Sequence, residues 1–139
     1  MYAELDRNLN RHYRAAYSGD VRNVALARQA IAGFACRCGF SEDAVSDIRL
    51  AAGEALSNAA EHGSETPERR IIVKCDFRHD NLTIEIRDSG SAFTEPSDRS
   101  SVEPDDRGRG FGIFLMRRLM DEVSFAGNGR IVRLLRRRN

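Results

Sequence analysis

Glu54 and Asn58 are the first residues whose types and spacing suggest chemistry. They stand four apart in AAGEALSNAAEHG, Ala51 to Gly63, a stretch with helical patterning, so one helix face presents both. A solvated face is the ordinary reading of such a pair. Asparagine is a mediocre helix former, however, and its place in the middle of a strong helix wants a reason. A carboxylate beside an amide oxygen can serve as proton acceptor and hard-metal ligand respectively. A second carboxylate, Asp88, ends the alternating run IEIRD and is followed by Gly90. Asp-x-Gly is a common turn signal. Functionally, a strand-tip carboxylate accepts a hydrogen bond from an exocyclic amine such as that of adenine, and the glycine lets a ligand approach the backbone. The third segment is RGRGFGIFLMRRLMDEV, Arg107 to Val123. Its alternate glycines, Gly108, Gly110 and Gly112, stand directly before an apolar helix. Backbone N–H groups there can face an anion with help from the helix dipole, and Arg107 or Arg109 can add charge. The G-x-G-x-G spacing after a polar loop is not the dinucleotide fingerprint, and no G-K-S/T of a Walker loop occurs.

The elements that must position these groups follow from periodicity and punctuation. His12 to Tyr17 is expected as a short edge strand after a weakly patterned first ten residues. Val24, Ala27, Ile31 and Phe34 recur at helical spacing in a helix over Val21 to Cys38, capped by Ser18 or Asp20 and stopped by Gly39. Ser41 begins a second helix with Glu42 and Asp43 at its positive end, and Gly63 closes it. Its many alanines let it lie close to a sheet. Arg70 to Phe77 and Leu82 to Arg87 read as strands, joined by a link containing Asp80 and Asn81. Residues 89–107 are polar, with Pro96 and Pro104, a long loop of the kind used as a binding lid. A helix from Ile113 to about Asp121 follows. Val123 to Phe125 and Arg130 to Leu135 close the chain as a hairpin over Gly127-Asn128-Gly129. This order predicts an α+β fold, a two-layer α/β sandwich with helices on one face of a mixed, mostly antiparallel sheet.

Bulk properties narrow the class. The 139 residues, 41% hydrophobic and 31% charged, fit a single domain. No apolar run approaches the roughly 18 residues of a membrane span, and no signal-peptide core opens the chain, so a cytoplasmic location is expected. A net charge of +1 gives no general argument for nucleic-acid binding. Arg133 and Arg136 to Arg138 are expected as a solvated strand end. Lys74 follows a β-branched run and is poorly placed for catalysis. Cys36, Cys38 and Cys75 match neither a disulfide framework nor zinc spacing, and partly buried free thiols are expected.

Each segment alone is weak; their order is specific. E-x-x-x-N on a helix, a strand-end D-x-G, a polar loop and G-x-G-x-G into a helix together resemble the motif boxes of the histidine-kinase-like ATPase (GHKL, Bergerat fold) superfamily. EALSNAAEHG and the short length look like its bacterial anti-sigma factor serine kinases, over about Val21 to the C-terminus. The resemblance implies ATP and Mg2+ bound under a lid at 89–107. It assigns Glu54 as the catalytic base for a serine hydroxyl, and Asn58 as the magnesium ligand. Asp88 and Gly90 would hold adenine, while Gly108, Gly110 and Gly112 would bind phosphate, with Arg107, Arg109 and Phe111 in the same stretch. It also implies an anti-sigma factor antagonist as phosphorylation substrate, a sigma factor or other regulator as second partner, and a homodimer. His62 matches the pattern after the asparagine and reads as a helix-end residue. Two departures, Ala92 for a glycine and Gly129-Arg130 for Gly-Thr, predict weaker nucleotide contacts. A non-catalytic nucleotide-dependent binding module is the alternative; retention of Glu54 favours the kinase. The ATPase half of a two-component histidine kinase fits less well, because the chain shows no dimerising hairpin with a phosphoacceptor histidine.

Overall fold

The computed structural model describes residues 10–63, 70–88, 111–127 and 129–138, with backbone alone for 61–63. Its elements run β1 (Arg11–Ser18), α1 (Asn23–Arg37), α2 (Glu42–Gly63), β2 (Arg70–Arg78) and β3 (Asn81–Asp88). They continue as α3 (Phe111–Leu119), β4 (Glu122–Ala126) and β5 (Ile131–Arg137). The sheet order is β1-β2-β3-β5-β4, and all four pairings are antiparallel. The expected two-layer α+β arrangement is present, and its mostly antiparallel sheet is fully antiparallel among the described residues. Short links such as those of β2–β3 and β4–β5 can join only antiparallel neighbours.

Alternation decides which face is covered. Ile71, Val73, Cys75 and Phe77 of β2 and Leu82, Ile84 and Ile86 of β3 are buried, while residues between them are exposed or half-buried. Against that face lie Ile31 and Phe34 of α1 and Ile48, Leu56 and a run of buried alanines of α2 (Ala51, Ala52, Ala55, Ala59, Ala60). Small side chains bring the α2 backbone near its neighbours, and each large buried aliphatic contributes about 2 kcal/mol by leaving water. Outside, the sheet carries charge: Glu85 accepts hydrogen bonds from Arg87 (3.1 Å) and Arg133 (3.2 Å). Burial pushes the Glu85 carboxyl up, but these two guanidiniums outweigh it and hold it below its ordinary value.

Punctuation mostly falls where the residue types place it. The Ser41 hydroxyl accepts the Ala44 N–H at 3.1 Å, an N-cap for α2, and Gly39 stops α1 with φ of 91°. The start of α1 differs from expectation: the helix begins at Asn23, and neither Ser18 nor Asp20 caps it. Asp20 spends its carboxylate on the preceding turn, accepting the Arg22 N–H at 2.8 Å and pairing with the same guanidinium. That contact lowers the Asp20 carboxyl to about 2. The β2–β3 link falls between Phe77 and Leu82 as expected, with His79-Asp80 at its tip and φ of 53° and 64°. Positive φ at both central residues is the I′ geometry that suits the twist of a hairpin.

The arginines at the C-terminal end also differ from expectation. Arg136 donates to the Asp47 carboxylate (3.1 Å) and the Leu119 carbonyl (2.6 Å). Arg138 donates to the Cys38 carbonyl at 2.6 Å, pairs with Asp80, and lies 5.1 Å above the Phe77 ring. Instead of a solvated strand end these two form a clasp, because groups of α2, of α3 and of the links after α1 and β2 surround the end of β5. Cys38 and Cys75 are buried and Cys36 is exposed. Burial raises the Cys75 thiol to about 12, so it stays protonated at neutral pH.

Candidate functional site

In β3 the inward positions are Leu82, Ile84, Ile86 and then Asp88, which is 2% exposed and the only buried charged side chain among the described residues. The strand is held to its tip, since the Asp88 N–H donates to the Arg130 carbonyl at 2.8 Å. Burying a carboxylate among apolar side chains costs several kcal/mol unless partners repay it. Asp88 opens onto a narrow recess walled by Ala55, Asn58 and Ala59 of α2, Ile86 of β3, Met116 of α3, Phe125 of β4, and Gly129, Arg130 and Val132 of the last hairpin. Apolar side chains around one acceptor suit an aromatic base bearing an amino group; in this structure about 10 Å³ of the recess is open, so a base enters only as the walls move apart.

Asn58 and Glu54 extend the site along α2. Both are half-buried. Asn58 lines the recess with Asp88, and one turn back Glu54 rests against the start of α3. The fit there is close: a Cβ on Gly112 would lie 2.7 Å from Glu54 Oε1. The structure thus brings together Asp88, Asn58, Glu54 and Gly112, four residues singled out from three separate segments. Phe111, the first residue of α3, is 47% exposed and stacks on Phe114 at 6.1 Å, so its ring lies at the surface. Gly90, Arg107, Gly108, Arg109 and Gly110 lie outside the described residues, as do the segment 89–107 expected as a lid and the side chain of His62.

Sequence reasoning missed the walls of the recess. Ala55, Ala59, Ile86, Met116 and Val132 fall on ordinary core periodicity, so nothing in the pattern separates them from interior packing. Gly129-Arg130 stood out, and both residues do line the recess. A roomier groove of about 1040 Å³ lies at the opposite end of β3, edged by Asp80, Asp121 and Arg136 to Arg138. Arg136 and Arg138 are engaged there with carboxylates and carbonyls of the chain itself, whereas the smaller recess holds the buried carboxylate and is the better ligand candidate.

The donor set also suits a magnesium nucleotide. Mg2+ is bound by one or two protein oxygens plus waters and phosphates, so a single amide oxygen at Asn58, on the recess wall, can be the protein's share. No helix among the described residues is long and apolar enough to cross a membrane.

The chain is similar to several known proteins. Serine-protein kinase RsbW of Listeria monocytogenes is 32% identical over 109 residues, covering 72% of this chain and 69% of the relative. The RsbW kinase of Bacillus cereus is 32% identical over 108 residues, covering 72% and 68%. Among solved structures, one of the RsbU and RsbW domains of a Mycobacterium tuberculosis protein superposes with a TM-score of 0.69 over 92% of this chain. The chain spans about a third (32%) of that larger polypeptide, and at 19% identity the likeness is one of fold. Residues 17–136 match the model of the histidine kinase-like ATPase domain, and the protein belongs to that family.

Proposed function

We propose that the protein is an anti-sigma factor type serine-protein kinase, a single cytoplasmic domain that acts as a homodimer. In this reading it moves the γ-phosphoryl group of ATP to a serine of a small antagonist protein and sequesters a sigma factor or another regulator. The observation that carries the reading is the convergence of the Glu54 carboxylate, the start of α3 and the Asn58–Asp88 recess. The RsbW relatives, which bear the name serine-protein kinase, support the choice of acceptor.

Each group has one task. Asp88 accepts a hydrogen bond from the adenine amine, and the apolar walls exclude water from the ring. Asn58 offers its amide oxygen to magnesium, which when bound neutralises the phosphate oxygens and aligns them for in-line transfer. Backbone N–H groups around Gly108, Gly110 and Gly112 hold phosphate at the head of α3, with Arg107 and Arg109 adding charge and Gly90 shaping the base pocket. Glu54 accepts the serine proton as the hydroxyl oxygen bonds to the γ-phosphorus and the bond to the bridging oxygen of ADP breaks.

The test is label transfer from γ-32P ATP and Mg2+ to the small proteins of the source cell, with the labelled acceptor purified and identified. Glu54→Gln should abolish transfer yet retain ATP affinity by calorimetry, whereas Asp88→Asn should weaken ATP binding by about tenfold or more. Undiminished transfer by Glu54→Gln would remove the base from the mechanism.

A further inference from the structure

Three large apolar side chains lie exposed near Glu54: Leu50 (48%) on α2, and Phe111 (47%) and Phe114 (39%) on α3. Phe111 and Phe114 stack, and the Arg118 guanidinium sits 5.7 Å above the Phe114 ring, so α3 presents an aromatic and cationic stripe at i, i+3 and i+7. The two helices lie antiparallel. Glu54 meets Gly112 at one end, and Arg136 bridges Asp47 to the Leu119 carbonyl at the other. Leu50, one turn before Glu54, therefore falls opposite the middle of α3. An apolar surface starts beside the candidate base and runs away from the recess.

We propose that Leu50, Phe114 and Arg118 form the docking surface for the protein that carries the phosphoacceptor serine, which meets them with an apolar patch flanked by carboxylates. The proposal rests on the kinase reading. A serine reaches the Glu54 carboxylate only if its protein lies over the ground around that residue, and among the described residues the exposed large apolar side chains there are those of this stripe. The recess lies on the other side of Glu54 and suits a base, not a protein. Charge sets the chemistry of the rim: Arg118 has no ion pair among the described residues. A guanidinium so placed beside an apolar patch favours an acidic partner and speeds its encounter.

The test uses the full chain and, as probe, the acceptor protein identified by label transfer. Initial rates are measured against acceptor concentration, ATP affinity with a fluorescent ATP analogue, and self-association by sedimentation velocity. Leu50→Ser combined with Phe114→Ser should raise KM for the acceptor by about tenfold or more, with kcat and ATP affinity unchanged. Arg118→Glu should raise it further, and high salt should narrow the gap. If the double serine variant fails to fold, the alanine pair at the same positions gives the same comparison. An unchanged KM overturns the proposal. So does a loss of ATP affinity, which would give the stripe to residues 89–110 or the nucleotide, or a loss of self-association with normal KM, which would give it to a second copy. Absence of transfer to any protein by the unaltered chain brings down the kinase reading and the docking surface together.

Discussion

Asp88 takes the inward position of β3 where Leu82, Ile84 and Ile86 call for a fourth apolar side chain, and it does so almost without exposure. A carboxylate in an otherwise apolar row is a candidate functional residue, because buried charge is seldom placed there for packing alone. Gly112 makes a similar case in backbone terms. Alanine at this place would bring its Cβ to 2.7 Å from Glu54 Oε1, and that oxygen is the movable end of a side chain, so the carboxylate would swing aside and the fold would hold. Alanine is also the better helix former, by up to about 1 kcal/mol. Gly112→Ala should therefore leave urea-unfolding stability equal or slightly higher while lowering kcat by about tenfold or more, because small displacements of a catalytic group are costly. Reduced stability with normal kcat would show that Gly112 serves the fold and not Glu54. The polar members of the site were legible in the sequence because each breaks a local rule: an asparagine inside a helix, an aspartate ending an apolar alternation, a glycine next to a helix start. The recess walls obey the rules of core packing, and no local pattern distinguishes Met116 or Ala59 from any other buried residue.

Alternation in β2 and β3, helical spacing in α1 and α2, and the stops at Gly39 and Ser41 are all local signals, and they gave the elements with ends displaced by only a few residues. The start of α1 was misplaced because an aspartate ahead of a helix can cap it or close the turn before it, and Asp20 does the latter. The β2–β3 hairpin fell where its turn residues put it, and register fixed its tip. Asp80 and Asn81 are good turn residues, yet register puts Asn81 opposite Arg78 inside the ladder and leaves His79-Asp80 at the tip. Histidine with φ of 53° pays for a left-handed conformation that asparagine tolerates better. His79→Asn should raise the unfolding free energy by about 0.5 kcal/mol, read as a higher urea midpoint at constant m-value. Asp80 must stay, because its carboxylate holds Arg138. A fall in the midpoint would mean that the histidine ring makes a contact worth more than its backbone strain.

At the scale of the molecule, the two ends of β3 do different work. Asp88 ends the strand at the recess, and Asn81 begins it at the Arg138 clasp, roughly 24 Å away at the usual rise per residue. The clasp was not legible because its partners lie far apart in the chain: Arg138 reaches a carbonyl 100 residues earlier and a carboxylate 58 residues earlier. Such pairs leave no periodicity, so a run of arginines at a strand end reads as solvated charge. Their physical weight differs from that of surface pairs. Arg138 is 19% exposed, packs its guanidinium on Phe77, and donates to a backbone dipole as well as to a half-exposed carboxylate. Methionine at position 138 would keep the hydrophobic stem and lose the donors. Arg138→Met should therefore lower the unfolding free energy by about 2 kcal/mol, the scale of a charge-assisted hydrogen bond, and drop Tm by several degrees. High salt would screen the Asp80 half but leave most of the deficit, since the bond to the Cys38 carbonyl is inside the fold. ATP affinity should not change, because the recess is at the other end of the sheet. Thermal melts at low and high salt alongside ATP titration decide the matter: a deficit that vanishes in salt would return Arg138 to the class of surface charges, and a loss of ATP affinity would mean that the two ends of β3 are coupled.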